Sequence, residues 1–130
     1  MRVETLQDIS IFIPVYKDSK QLRCTVDKLL SQEVKKEIFV TVDEATPEFL
    51  KETQQYDGKV RFIFNEERVG KANALNETTK LSSGKVLLFL DSDIEVSDDP
   101  NFLKKIVMEL EHADILDIKK RVIKDKSFLS

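Results

Sequence analysis

Short apolar runs alternate along this chain with segments whose apolar residues recur at helical spacing, and this alternation limits the possible folds more than any other feature. The apolar runs are residues 9–14, 38–42, 60–64 and 86–90, with a further candidate strand at residues 113–118. The helical segments are residues 19–32, 47–55, 71–81 and 102–110. Strands that alternate with helices of about ten residues predict right-handed crossovers, and therefore an α/β fold with a mainly parallel sheet and helices on both faces.

Small polar residues and prolines mark where the predicted helices begin. Ser19 precedes the first helical segment, and Thr46 precedes the second, which opens on Pro47. Side-chain oxygens at such positions accept hydrogen bonds from the free N–H groups of a first helical turn, and proline suits that turn because it has no N–H to satisfy. We therefore expect Ser19 and Thr46 to cap these two helices, and residues 97–100 to cap the last one.

The overall composition excludes several classes of protein. With 130 residues the chain suits one domain, since single cores typically contain about 100–150 residues. The net charge of −3 provides no general attraction for nucleic acid, and the longest unbroken aliphatic and aromatic run, residues 86–90, is too short to span a membrane. The single cysteine, Cys24, cannot form an internal disulfide, so a reducing compartment, the cytoplasm, is expected.

The end of the sequence differs in charge from the rest. Residues 119–130 carry five basic side chains and one acidic side chain, Asp125. We expect a solvated basic tail within one domain spanning residues 1–130. The alternative is a surface that meets an acidic partner or lipid headgroups, which would place the protein at the cytoplasmic face of a membrane.

The residues that follow the predicted strands are unusually polar and charged. Strand ends are expected at residues 14–16, 43–44, 65–68 and 91–93, which bring an aromatic ring, carboxylates, and a cation to one place. Ligands of open α/β sheets bind outside the carboxyl ends of the strands, so this edge is the predicted site.

Two carboxylates follow the most hydrophobic run. Asp91 and Asp93 are two residues apart, so both can point the same way if the extended geometry persists, and carboxylate pairs suit hard divalent cations. The acidic stretch from Asp91 to Asp99 is not predicted to be an EF-hand, because Val96 occupies the sixth position, where that loop requires glycine.

A glycine and a lysine open the third predicted helix. Gly70 and Lys71 follow a strand, so the N–H groups of the helix and the lysine side chain could face an anion. The spacing does not match a GxxxxGK phosphate loop, and a glycine hinge before an ordinary amphipathic helix remains an alternative. A basic residue near a carboxylate-bound metal is the arrangement that a diphosphate requires.

Several motifs taken in order resemble the nucleotide-binding half of family 2 glycosyltransferases, which have the Rossmann-like GT-A fold. These are IPVY (residues 13–16), VDE (residues 42–44), VGKANALN (residues 69–76), Gly84 and LDSD (residues 90–93). The resemblance covers about residues 9–112. One departure is the second strand end, which in the family is two Asp followed by Gly-Ser and here is Asp43-Glu44-Ala45-Thr46.

The resemblance implies a role for each matching residue. Pro14, Val15 and Tyr16 would line the base and ribose pocket, and Asp43 would hydrogen-bond the base. Gly70 and Lys71 would pass close to the nucleotide and its diphosphate, with Asp91 and Ser92 also at the nucleotide. Asp93, with Asp91 beside it, would hold the Mg²⁺ or Mn²⁺ that bridges the diphosphate.

The resemblance also implies an activity. Such an enzyme transfers a sugar from a nucleoside diphosphate sugar, here with UDP favoured, to a hydroxyl of a glycan or lipid-carrier acceptor, metal-dependently and with inversion. The family's acceptor half, with its catalytic base and often a Gln-x-x-Arg-Trp motif, has no counterpart in this sequence, which has no Trp. We therefore expect the donor-binding portion of a longer enzyme, inactive alone.

Two other classes of protein remain possible. A sugar-phosphate nucleotidyltransferase shares the layered α/β plan but should carry a glycine-rich, arginine-containing loop after its first strand, where this chain has Pro14-Val15-Tyr16-Lys17-Asp18. A non-catalytic regulatory α/β domain, such as a phosphoacceptor receiver, also places Asp at strand ends. That class predicts phosphorylation of a single Asp and no affinity for nucleoside diphosphates.

Overall fold

A computed structural model describes residues 7–92, 95–111 and 121–124, and these residues contain a five-stranded parallel sheet with the strand order β3-β2-β1-β4-β5. The strands are β1 (Ile9–Tyr16), β2 (Lys36–Asp43), β3 (Arg61–Asn65), β4 (Val86–Phe89) and β5 (Arg121–Lys124). The helices are α1 (Leu22–Leu30), α2 (Pro47–Thr53), α3 (Lys71–Leu81) and α4 (Phe102–Glu111), with a 3₁₀ turn at Gln54–Tyr56. The predicted α/β class and parallel sheet are confirmed.

Two hydrophobic layers cover the two faces of the sheet. Alternate residues of β1 from Ile9 to Val15 pack on one face in a cluster that includes residues of α1, α2 and α4. Phe12 points to the opposite face, where it joins Phe39 and Leu87 beneath Leu75 of α3. Burial of both faces explains why the strands are continuously hydrophobic instead of alternating with polar residues.

The strand order reverses at β1, which lies between β2 and β4. The register places Tyr16 opposite Asp43 and Asp43 opposite Asn65. Three polar or aromatic strand ends therefore lie side by side at the carboxyl edge, next to the point where chain connections diverge. Such a switch point is the usual ligand-binding crevice of an open α/β sheet.

Of the three predicted helix caps, the one at Thr46 is confirmed and the one at Ser19 is wrong. The Thr46 hydroxyl accepts a hydrogen bond from the Phe49 amide at 3.2 Å, as expected. Helix α1 begins at Leu22 after Gln21, and Ser19 instead donates its hydroxyl proton to the Ser92 carbonyl at 3.1 Å. Ser19 therefore ties the loop after β1 to the loop after β4, which is a contact between two predicted site segments.

Gly84 lies where another strand approaches too closely for a side chain. Its amide donates to the Ser10 hydroxyl at 2.8 Å, and a Cβ at this position would collide with that hydroxyl and with the backbone of β1. The Ser10 hydroxyl in turn donates to the Glu37 carboxylate at 2.6 Å. The glycine of the sequence motif thus permits β4 to begin against β1.

The fifth strand, β5, lies near the end of the sequence. The candidate strand at residues 113–118 lies outside the described residues, whereas β5 lies within the segment expected to be a basic tail and pairs with β4. Within the three described ranges, no helix is long and apolar enough to cross a membrane.

Candidate functional site

A buried carboxylate organises the carboxyl edge of the sheet. Asp43 is 6% exposed and ends β2. One of its oxygens accepts a hydrogen bond from the Asn65 side-chain amide at 2.9 Å, and the other accepts from the backbone amides of Val69 and Gly70 at 2.9 and 3.0 Å. A carboxylate offers about four lone-pair positions, so three are filled by the protein and the loop before α3 is fixed to the sheet.

The loop after β1 is tied to the same strand ends. The Lys17 amide donates to the Asp43 carbonyl at 2.8 Å, and the Thr46 amide donates to the Lys17 carbonyl at 3.1 Å. Lys17 and Glu44 both have positive φ, at 71° and 54°, so the chain turns sharply after β1 and again after β2. These turns leave Tyr16 projecting from the sheet edge with 43% of its surface exposed.

An arginine from the neighbouring loop lies over the ring of Tyr16. The Arg68 guanidinium lies 4.3 Å from the ring centroid, and the Lys17 ammonium lies 5.3 Å from it. Both distances are within the range of cation–π attraction. The sequence places Arg68 at a strand end, but contact between two loops depends on the strand order, which the sequence pattern leaves open.

Gly70 and Lys71 lie at the start of α3, as predicted. Gly70 precedes the helix with a φ of 86°, a backbone conformation that favours glycine, and its amide is engaged by Asp43. The Lys71 ammonium lies 3.2 Å from a carboxylate oxygen of Asp91, and the Lys71 side chain is 69% exposed. Of these two groups, the Gly70 amide is therefore already engaged within the protein, whereas the Lys71 side chain reaches the solvent.

The paired acidic residues are only partly described. Asp91 follows β4 by two residues, with 35% of its side chain exposed, and Ser92 accepts the hydrogen bond from Ser19. Asp93 lies outside the described residues. Among the residues that are described, no group of three or more His, Cys, Asp or Glu side chains could hold a metal ion. A cation bound at Asp91 would need further ligands, from Asp93 or from oxygens of a bound phosphate.

One small pocket brings most of these residues together. It encloses about 50 Å³. Its lining includes six of the residues predicted to bind nucleotide, Pro14, Val15, Tyr16, Asp43, Gly70 and Lys71, together with Thr41, Arg68 and Ala74. Asp91 joins the group through its ion pair with Lys71.

Three lining residues, Thr41, Arg68 and Ala74, were not among those predicted to bind nucleotide. Thr41 lies two residues before Asp43 on the same strand and therefore on the same face, and Ala74 lies one helical turn after Gly70. Strand and helix periodicity could have found both. Arg68 reaches the pocket through its contact with Tyr16, for which no periodicity exists.

Comparison with known proteins gives one family. Residues 10–129 match the family model described as glycosyl transferase family 2. The chain is 32% identical over 103 residues to a poly-β-1,6-N-acetyl-D-glucosamine synthase of Staphylococcus epidermidis, an alignment that covers 76% of this chain and 25% of the synthase. It is also 32% identical over 105 residues to glycosyltransferase GlyA of Streptococcus pneumoniae serotype 4, covering 76% of this chain and 15% of GlyA. The chain thus spans a quarter or less of the length of these relatives.

Solved structures share the fold. Staphylococcus aureus TarS superposes with a TM-score of 0.67 at 23% identity, covering 80% of this chain and 19% of TarS. A Mycobacterium tuberculosis glucosyl-3-phosphoglycerate synthase, in complex with Mn²⁺, UDP and glucosyl-3-phosphoglycerate, superposes with a TM-score of 0.62 at 19% identity, covering 83% and 41% of the two chains. These neighbours are GT-A glycosyltransferases, so the predicted Rossmann-like GT-A architecture is confirmed.

Proposed function

The chain belongs to glycosyltransferase family 2, and from this membership we propose that its carboxyl-edge pocket binds the nucleoside diphosphate of a sugar donor. The observation that carries the proposal is the convergence of Tyr16, Asp43, Gly70 and Lys71 on one pocket beside Asp91. In chemical type, an aromatic ring and a buried hydrogen-bond acceptor match the base of a nucleotide, and an exposed ammonium group matches its phosphates.

For the donor we propose a UDP-sugar. The structural neighbours solved with UDP support uridine as the nucleoside, although their identity to this chain is about 20%. Tyr16 would contact the base, with Pro14 and Val15 forming the adjacent wall. Asp43 lines the pocket, and its oxygen that accepts from Asn65 has a further lone pair, which we propose accepts from an N–H of the base.

For the phosphates we propose that Lys71 is the main protein cation. Lys71 is the first residue of α3, and the positive end of the helix dipole also favours an anion there. Its present partner, Asp91, is about a third exposed, and an ion pair at the protein surface contributes little. A diphosphate therefore competes for the Lys71 ammonium at little cost.

For the metal we propose Mg²⁺ or Mn²⁺ held by Asp93 and Asp91 with oxygens of the diphosphate. Carboxylate and phosphate oxygens are the donor set that these ions prefer. When bound, such a cation neutralises charge on the leaving diphosphate. The hydrogen bond from Ser19 to Ser92 would hold the loop that carries both carboxylates.

The reaction we propose is transfer of the sugar to an acceptor hydroxyl with inversion. The acceptor oxygen forms a bond to the anomeric carbon as the bond from that carbon to the diphosphate breaks, and a base takes the hydroxyl proton. Lys71 stabilises the charge that develops on the departing diphosphate. We assign no base among the described residues, and propose that this chain is the donor-binding portion while the acceptor, a glycan or a lipid carrier, meets other parts of the enzyme.

For the location we propose the cytoplasm, with contact at the cytoplasmic face of a membrane through the basic residues 119–130. The exposed thiol of Cys24 suits a reducing compartment. Co-sedimentation with anionic vesicles tests the contact. Loss of binding when the five basic residues are replaced by Gln supports it, and unchanged sedimentation contradicts it.

Isothermal titration of UDP and GDP, each with and without Mn²⁺, tests the donor site. We expect UDP to bind with metal-dependent affinity, and Lys71→Met to weaken it about tenfold or more. Lys80→Met is the matched control, because Lys80 lies on the same helix at its opposite end and pairs with Glu77. Absence of UDP and GDP binding by the folded chain contradicts the proposal.

A further inference from the structure

The stacking of Arg68 on Tyr16 leads to an inference that rests on the proposed nucleotide site. We infer that Arg68 is a closing side chain, which covers the base-binding face of Tyr16 in the free protein and is displaced when nucleotide enters. The guanidinium and the ring are 4.3 Å apart, and both line the same pocket.

The pocket is small in this conformation. It encloses about 50 Å³, whereas sites for small ligands typically measure about 300–1,000 Å³. A nucleobase stacked on Tyr16 would need the space in which the guanidinium now lies. Arg68 must therefore move before a base can stack on this face of the ring.

Most lining residues are held in place by secondary structure. Pro14, Val15 and Tyr16 belong to β1, Thr41 and Asp43 belong to β2, and Ala74 lies in α3. The backbone next to Arg68 is also fixed, because the Asp43 carboxylate accepts hydrogen bonds from the amides of Val69 and Gly70. Arg68 is itself exposed and lies in the loop, so its side chain can rotate away while the backbone stays in place.

The contact is also weak enough to be displaced by a ligand. A cation–π contact at an exposed position favours the state that contains it by about two- to fivefold in the equilibrium constant. The displaced guanidinium remains beside the pocket and keeps its charge, so it favours a phosphorylated ligand over a neutral nucleoside. Arg68 thus weakens the binding of uridine, which must displace it, and compensates for that cost only when phosphates are present.

Titration with uridine and with UDP separates the cost of displacing Arg68 from the attraction between its charge and phosphates. NMR titration of each ligand, with Mg²⁺ present, compares the unmodified chain with Arg68→Ala. We expect uridine to bind Arg68→Ala about two- to fivefold more tightly, and UDP to gain less or to lose affinity. Arg61→Ala is the matched control, because Arg61 is an exposed arginine that lies 5.4 Å from the Phe39 ring, outside the pocket.

A second measurement reports on closure without a nucleotide. The chain has two tyrosines and no tryptophan, so a Tyr56→Phe background leaves Tyr16 as the fluorophore. We expect acrylamide to quench Tyr16 more strongly after Arg68→Ala and equally after Arg61→Ala. Unchanged quenching in the Arg68 variant overturns the inference, because the guanidinium then does not cover the ring.

The outcomes distinguish this inference from the proposed function. If UDP binds and uridine affinity is equal or weaker in Arg68→Ala, the closing role is wrong and the nucleotide site stands. If neither ligand binds any of the three proteins, the nucleotide site is wrong and the closing role fails with it.

Discussion

The carboxylate of Asp43 accepts a hydrogen bond from the backbone amide of Gly70 at 3.0 Å, across 27 residues of sequence. This contact joins the end of β2 to the start of α3. Together with the contacts from Val69 and Asn65, it makes Asp43 a structural anchor of the loop that carries Arg68. A residue expected to bind the base thus also builds the pocket in which the base would lie.

The anchoring role predicts a loss of stability when Asp43 is replaced. Asp43→Ala leaves two backbone amides without their acceptor, and we expect about 1–3 kcal/mol less free energy of unfolding, the usual cost of unsatisfied buried donors. Asp43→Asn keeps one acceptor oxygen and should cost less. Urea unfolding measures both, with exposed Glu48→Gln as control. Equal stability of Asp43→Ala and the unmodified chain would show that the loop does not depend on this carboxylate.

The close approach at Gly84 predicts a second loss of stability. Gly84→Ala forces β1 and β4 apart, and overpacking of this kind typically costs about 1–3 kcal/mol. Ser10→Ala in the same protein should not rescue it, because the backbone of Ile9 and Ser10 also lies in the way. Gly58→Asn is a useful control, since Gly58 has positive φ with nothing within 4 Å and Asn tolerates that conformation. Full rescue by Ser10→Ala would locate the clash in the hydroxyl alone.

Tyr56 predicts a dependence of stability on high pH. Burial, the hydrogen bond to Asp27 at 2.8 Å and the charge of Asp27 raise the pKa of Tyr56 from 10.0 to about 12. Because the folded pKa exceeds the unfolded value, this contribution to stability is complete below pH 10 and is lost as the pH rises towards 12. Absorbance at about 295 nm in Tyr16→Phe follows Tyr56 ionisation alone. A transition near the unfolded value, or the same pH dependence of stability in Tyr56→Phe, would contradict the assignment.

The proposed metal ligands predict a specific pattern of affinities. Mn²⁺ should increase UDP affinity about tenfold or more in the unmodified chain, since a cation held by Asp91 and Asp93 would neutralise charge on the diphosphate. Asp93→Ala and Asp91→Asn should remove most of that increase, whereas exposed Glu95→Gln should retain it. Titration of UDP at several Mn²⁺ concentrations gives the comparison. A metal effect that survives both substitutions would place the cation elsewhere.

Elements with strong local signals could be predicted closely from the sequence. Helix α3 has the predicted bounds, residues 71 and 81, and Thr46 caps α2 as expected. The apolar run of β1 ends at Pro14, but the strand continues to Tyr16 because Val15 and Tyr16 pair with Val42 and Asp43. Strand ends depend on the neighbouring strand, and a single sequence segment carries no information about its neighbour's length.

Most residues of the candidate site could be predicted from the sequence, but the interactions between them could not. Proximity of Tyr16, Asp43 and Lys71 follows from a parallel sheet, since parallel strands end at one edge. The stacking of Arg68 on Tyr16 and the bond from Ser19 to Ser92 each join loops from non-consecutive strands. Such contacts require the strand order, which places β1 between β2 and β4 and which hydrophobic patterning does not specify.

The proposed site is tested most directly by locating UDP on the folded chain with two-dimensional NMR of backbone amides in the presence of Mg²⁺. We predict shifts that saturate with UDP and concentrate at Tyr16, Lys17, Val69, Gly70 and Lys71, with the amides of α2 unchanged. Shifts confined to other surfaces, or no shifts at millimolar UDP, would contradict the claim that the carboxyl edge of this sheet binds a nucleoside diphosphate.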